Sequence, residues 1–298
     1  MTSESLLRTG RIGININGDF EDEILVEKAI KASKHVDVVW IGDSDFFKEP
    51  FHVARLVIEN TDLAVGFGIL RAKKCRRIVK ELEKFRGYEE RVIVGVAAGD
   101  GGNLENTAKC IQRLKEKFRF PVVAGGTGKR AISKLSKISD GILLNHISPK
   151  HVDFALRYAD SDFVAAYGPC LVLPSQFEQD LLLATAMIMG SSRSFIEEMG
   201  YTEIFDRIRK IDILSLIGER QKGKDLNAFE EFRKLQAHRE FLFEKFSVAG
   251  DIDEVSNKIF FLLEKCHHVI LSDPFFREED FDLKLRKIVE NLKKKFRN

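Results

Sequence analysis

The sharpest chemical signal in this 298-residue chain is Ala124-Gly-Gly-Thr-Gly-Lys-Arg130. The run follows a β-rich segment and opens a helical one. Amides at a helix start have no intrahelical acceptor, glycines let an anion approach closely, and the helix dipole adds attraction. Gly125, Gly126, Thr127 and Gly128 therefore read as a phosphate cradle, with a hydroxyl from Thr127 and a charge from Lys129. The GxxxxGK[ST] spacing of a P-loop is absent, and the same residues also fit a plain glycine turn beside a solvated Lys-Arg pair. Gly66-Phe67-Gly68 is a second signal, since glycine in a strand marks a bulge or the close approach of another molecule. Asp43 is a candidate proton carrier or substrate ligand, and it also fits as the cap of a following turn. Asp100 carries the same two readings. His146, beside Asn145, has a side chain that titrates near neutral pH, although a lone histidine is more often structural. Asn15, Asn17, Ser44, Tyr167 and Asp273 complete the polar set at strand ends. No HExxH, no Cys/His metal spacing and no GxSxG elbow is present, so neither a metal site nor a serine nucleophile is expected.

The elements that must position these residues alternate along the chain. Strands are expected over 11–17, 37–43, 63–69, 91–97, 121–125, 141–145, 162–167 and 268–272. Helical periodicity covers 21–35, a helix opened by Pro50, 73–85, 104–118, 129–138, a helix after Ser148-Pro149, 251–265 and 280–296. The strands are nearly continuous apolar runs, as parallel strands are when both faces are covered. The expected architecture is α/β: a (β/α)₈ TIM barrel, a single domain over 1–298. The stretch 176–246 is mostly helical, and 201–246 is too long for a plain crossover. It reads as extra helices inserted before the last helix–strand unit. An open doubly wound sheet competes, but Ile16-Asn-Gly-Asp-Phe20 is not a GxGxxG turn.

Composition narrows the function classes. With 48 basic and 46 acidic residues the net charge is +2, which argues against a nucleic-acid or membrane-surface partner. Charged residues make up 32% of the chain, a balance that leans towards a thermophilic source. Cys75, Cys110, Cys170 and Cys266 form no CxxC pair and are expected to be buried, reduced thiols. The N-terminal residues lack a signal-peptide core and no apolar run reaches membrane-spanning length, so a cytoplasmic protein is expected.

Three stretches carry a family resemblance: Val39-Trp-Ile-Gly-Asp43; Pro121-Val-Val-Ala-Gly-Gly-Thr-Gly-Lys129 with Ser139-Asp-Gly-Ile-Leu-Leu-Asn145; and Phe246-Ser-Val-Ala-Gly-Asp-Ile-Asp-Glu-Val255 with His268-Val-Ile-Leu271. In order and spacing they resemble the bacterial-luciferase-like superfamily, nearest its deazaflavin branch, which includes archaeal methylene-tetrahydromethanopterin reductases. The resemblance implies an oxidoreductase that transfers hydride to or from an organic small molecule. It implies a coenzyme F-420 (deazaflavin) cofactor, with FMN as the alternative, and a homodimer. It places the cofactor phosphate at Gly125, Gly126, Thr127 and Gly128, with Asn145 nearby. It places the ring against a bulge at Gly66, Phe67 and Gly68, with a non-proline cis bond at Gly68-Ile69. Asp43, Ser44 and Asn17 fall on the substrate side as catalytic candidates. The chain departs from the family in having Asp43-Ser44 where Asp-His is usual, and in a short connection between the fourth and fifth strands. These departures imply a more open mouth or a smaller substrate, and keep open a non-catalytic flavin-binding relative. A lyase-type barrel would need a lysine at a strand end, and none is found at those considered.

Overall fold

A computed structural model describes residues 7, 11–45, 47–99, 102–145, 147–189 and 193–297. Nine strands form one all-parallel sheet: β1 (Ile12–Ile16), β2 (Val38–Ile41), β3 (Ala64–Arg71), β4 (Val92–Ala97), β5 (Val122–Gly126), β6 (Gly141–Leu144), β7 (Val164–Val172), β8 (Val248–Gly250) and β9 (His268–Ser272). Pairing runs from β6 back to β1, then through β9 to β7, and a β6–β7 pairing closes the ring. Eight strands thus make the expected TIM barrel. The short β8 lies outside it, paired with Cys170–Val172 at the end of the long β7. The helical reading of the sequence had no strand there.

Local chemistry sets where the covering helices begin. Helix α1 spans Asp22–Ala32. In α2 (Pro50–Asn60), proline takes a position where no amide bond is lost, and the Glu49 side chain accepts from the His52 amide at 3.0 Å. Helix α3 (Cys75–Leu82) follows β3, and α4 (Leu104–Lys117) is capped by Asn103. Helices α5 (Lys129–Leu135) and α6 (Pro149–Leu156) follow β5 and β6. Between β7 and β8 lie α7 (Glu178–Met189), α8 (Arg193–Met199), α9 (Thr202–Ile208), α10 (Ile213–Gln221), α11 (Glu230–Gln236) and α12 (Arg239–Phe246), the expected insertion. Helix α13 (Ile252–Leu263) starts with a full capping box between Asp251 and Glu254, and α14 (Phe281–Lys295) ends the fold.

Period-two alternation separates two cores. Outward strand residues join the helices in the large core, while Val38, Trp40, Ala64, Ile93, Val123, Leu143, Phe163, Ala165 and Ile270 fill the barrel. Trp40 dominates the interior and donates from Nε1 to His268 Nε2 at 3.0 Å. Neighbouring strands make room for it: a Cβ on Gly66 would lie 2.5 Å from the indole. One expectation fails outright. Cys75 and Cys110 are joined in a disulfide between α3 and α4, leaving Cys170 and Cys266 as buried free thiols. The two helices lie side by side through barrel closure, which places together cysteines that are 35 residues apart.

Candidate functional site

The C-terminal rim of the barrel carries a cleft of about 400 Å³ between the ends of β3 and β7. Its floor is made by what the strands omit. The last inward positions of β3, β4 and β5 are Gly68, Ala97 and Gly125, so three adjacent strands present almost no side chain. A Cβ on Gly125 would meet Ala97 Cβ at 2.8 Å and Ile69 Cγ2 at 3.1 Å. Ala97 and Ile69 thus leave no room for a side chain at Gly125. The β3–β4 register shifts between Phe67 and Leu70, and the Gly68-Ile69 peptide is cis, as the resemblance implied. That shift turns Ile69 into the cleft wall.

Polar groups stand at its edges. Gly126 and Thr127 line the cleft, and Gly128 is the N-cap of α5 with no side-chain cap bond. The first amides of α5 are thus not sealed by a capping side chain of Gly128. Asn145 also lines the cleft, and its buried Oδ1 has no hydrogen-bond partner. Leaving a buried acceptor unpaired costs about 1–3 kcal/mol. Tyr167, inward on β7, closes the far side and donates from Oη to Asn15 Oδ1 at 3.3 Å. Burial pushes its phenol up to about 12, against a hydrogen bond with Ser272 that works the other way.

The other sequence candidates are elsewhere. Gly66 faces Trp40 inside the barrel, and Phe67 points outward against Phe51 and Phe85, with ring centroids 4.8 and 6.2 Å away. Neither touches the cleft, so of the three-residue bulge only Gly68 serves it. Asp43 and Ser44 line a separate hollow of about 260 Å³ beside α2 and α3. Asp43 is committed to ion pairs, with Arg71 Nη2 at 2.9 Å and Lys74 Nζ at 3.1 Å. Burial alone would raise its carboxyl, but the hydrogen bonds from Arg71 and Lys74 outweigh it and hold the group below the ordinary carboxylate range. It is thus a poor proton carrier. Asn17 is buried near Gly42, whose Cβ would lie 3.4 Å from its Oδ1. Asp273 pairs with Arg277 at 2.7 Å, and Arg277 also holds Asp19 at 2.7 Å. Asp100 and His146 lie outside the described residues. Sequence reasoning missed Ile69, Ala97 and Leu143 as walls, although period-two counting along each strand assigns Ala97 and Leu143 to the interior face. Among the described residues no group of His, Cys, Asp or Glu is placed to hold a metal ion, and no helix is long and apolar enough to cross a membrane.

The fold and cleft define a class: a (β/α)₈ barrel with a side-chain-poor pocket at its C-terminal rim, uncharged among the described residues. Solved structures narrow the fold further. The chain is similar to the coenzyme F420 dependent tetrahydromethanopterin reductase from Methanopyrus kandleri, with TM-score 0.71 and 17% identity, covering 97% of this chain and 99% of that one. It is also similar to an F420-dependent secondary alcohol dehydrogenase, with TM-score 0.60, 14% identity and coverage of 95% and 99%. A long-chain alkane monooxygenase follows, with TM-score 0.58, 11% identity and coverage of 97% and 92%. These likenesses bear out the barrel fold expected from the sequence. No family model and no curated protein matches the chain.

Proposed function

We propose that this chain is an oxidoreductase that binds coenzyme F-420, or alternatively FMN, in the rim cleft and transfers hydride to or from a small organic substrate. The observation that carries this reading is the coincidence of three features in one cleft: the Gly68–Ile69 bulge, the flat Gly125 floor, and the Gly126–Thr127 turn opening α5. A planar ring fits a floor without side chains. A phosphate fits the amides at a helix start. The Asn145 amide, which lines the cleft, would meet the ring's polar edge.

A bound deazaflavin or flavin would supply the hydride chemistry. The chain's own groups would do the rest. Ile69, Ala97 and Leu143 would exclude water from one face. Thr127 and the amides beside it would hold the anionic tail, and Asn145 would fix the ring's rotation. A specific observation favours a second reading, a non-catalytic carrier: Asp43, the carboxylate assigned to the substrate side, is held in ion pairs away from the cleft.

Absorbance titration and equilibrium dialysis with each cofactor test the proposal. Stoichiometric retention of one is expected. Gly126→Asp should reduce it at least tenfold, because a Cβ there lies 3.5 Å from the Ile132 amide nitrogen, directing a carboxylate at the first turn of α5. Failure of wild-type protein to bind either cofactor rejects the reading, and binding without turnover of any reduced cofactor favours the carrier.

A further inference from the structure

We propose that Tyr167 donates a hydrogen bond, and then its proton, to the oxygen of a small uncharged carbonyl substrate, with Asn15 as the residue that positions it. The inference rests on the oxidoreductase reading above. Among the described residues lining the cleft, Tyr167 has the one titratable side chain, and none carries a charge. The walls are Ile69, Ala97, Ala98 and Leu143. Among the described residues a charged substrate would find no counter-ion there, whereas a neutral carbonyl would find the phenol as a donor.

The geometry supports a donor held ready. Asn15 Nδ2 donates to the Trp40 carbonyl at 2.9 Å, which fixes the amide and turns its Oδ1 towards the phenol. The phenol's bond to that oxygen is 3.3 Å, long for an O–H···O bond, which favours about 2.7–2.8 Å. Exchanging it for a substrate oxygen therefore costs little. Burial keeps the phenol protonated across neutral pH, so it acts as an acid and not as a base. The buried Ser272 hydroxyl lies near enough to oppose part of the upward push on the phenol.

The step balances as follows. A bound reduced deazaflavin or flavin would supply the hydride, two electrons with one proton, to the carbonyl carbon. The C=O π pair moves to oxygen. The Tyr167 O–H bond breaks as the alcohol O–H bond forms, because an alkoxide is more basic than a phenolate. The phenolate regains a proton from solvent once product leaves.

The test uses cofactor-free protein first. The chain has four tyrosines, so ¹³Cζ-tyrosine labelling resolves each, and Tyr167→Phe assigns the signal. Acetamide, a neutral and unreactive carbonyl, should shift the Tyr167 signal saturably and leave exposed Tyr88 unmoved. Followed on the Ile69 methyl signal, acetamide binding should weaken at least fivefold in Tyr167→Phe. Cofactor affinity, by dialysis, should stay within twofold. With wild-type protein loaded with the cofactor it retains, butanone should be reduced, and Tyr167→Phe should lower kcat about 100-fold, the usual scale of one general acid. A Tyr167 signal that never moves, or full kcat in the variant, overturns the inference and leaves cofactor binding standing. Absence of wild-type butanone turnover overturns the substrate class. Loss of cofactor retention in wild-type protein overturns the oxidoreductase reading itself.

Discussion

The barrel rim divides into two arcs built on opposite principles. From β3 to β7 the inward positions are Gly68, Ala97, Gly125, Asn145 and Tyr167, uncharged and partly without side chains. From β9 through β1 to the β2–β3 loops the rim is polar and filled: Asp273 and Asp19 share Arg277, and Asp43 and Asp45 share Arg71. The second arc holds the residue types most often suspected of catalysis, yet their charges face partners within the chain. The first arc looks inert by residue type, but it holds a buried acceptor without a partner and the start of a helix. The contrast teaches that a polar residue marks a site less reliably than a polar residue whose partner is missing.

If the charged arc is architectural, breaking it should cost stability and spare binding. The Arg71 and Asp43 side chains are only 8% and 5% exposed. Removing one member of such a pair typically costs about 3 kcal/mol or more, because the other charge stays buried. Arg71→Met keeps the stem, which packs on Gly99, a residue at φ +67° whose added Cβ would lie 2.7 Å from Arg71 Cγ. We expect a loss of about 3 kcal/mol in urea unfolding, with cofactor affinity within threefold. The pH dependence follows from Asp43, whose carboxyl is held low. Its stabilisation is present above the unfolded value of about 3.9 and lost as pH falls through the folded one. The gap between wild type and Arg71→Met should therefore narrow below about pH 4. A tenfold loss of cofactor affinity at neutral pH would break the comparison.

The open arc should respond in the opposite way. Gly125→Val puts atoms where Ala97 and Ile69 already close the floor. Overpacking of this kind costs about 1–3 kcal/mol, and it also fills the space a ring needs. We expect about a 100-fold loss of cofactor affinity, about 2.7 kcal/mol, measured by dialysis. Asn145→Leu is a sharper probe because its two effects have opposite signs. Losing an orphaned buried acceptor should leave the thermal midpoint unchanged or raise it. Losing the ring's partner should weaken binding about tenfold, or about 1.4 kcal/mol. A variant that is destabilised but binds normally would mean that Asn145 serves the fold alone.

The fold was largely legible because eight apolar runs, each followed by a helical period, leave few ways to cover both strand faces. The three-residue β8 was hidden, since so short a run after α12 carries no period of its own. The disulfide was hidden too: the barrel reading puts α3 and α4 side by side, but only coordinates show that Cys75 and Cys110 face each other, with Cα atoms 5.8 Å apart. At the site, Gly125, Gly126, Thr127, Gly68 and Asn145 could be found from glycine chemistry at strand ends. Gly66 and Phe67 were misplaced by treating a three-residue run as one feature, when alternation sends its members to different faces. Asp43 was over-read because Arg71, 28 residues away, is invisible as its partner until the strands are paired. Tyr167 and Asn15 are separated by 152 residues and meet only across the closed barrel.

The smallest expected effect tests where the open arc ends. Lys129 and Arg130 follow the glycine turn, but both are exposed. Charges in water attract an anion weakly, by about 0.2–1 kcal/mol each, and salt screens them over a Debye length of about 10 Å at 0.1 M. Replacing both with alanine should therefore weaken cofactor binding about two- to fivefold at 20 mM salt, with the difference gone at 0.5 M. Dialysis at the two ionic strengths reads this directly. A loss that persists at high salt would require a direct contact from one of these side chains. The anion site would then extend along α5 beyond the amides, and the boundary between the two arcs would have to be redrawn at Arg130.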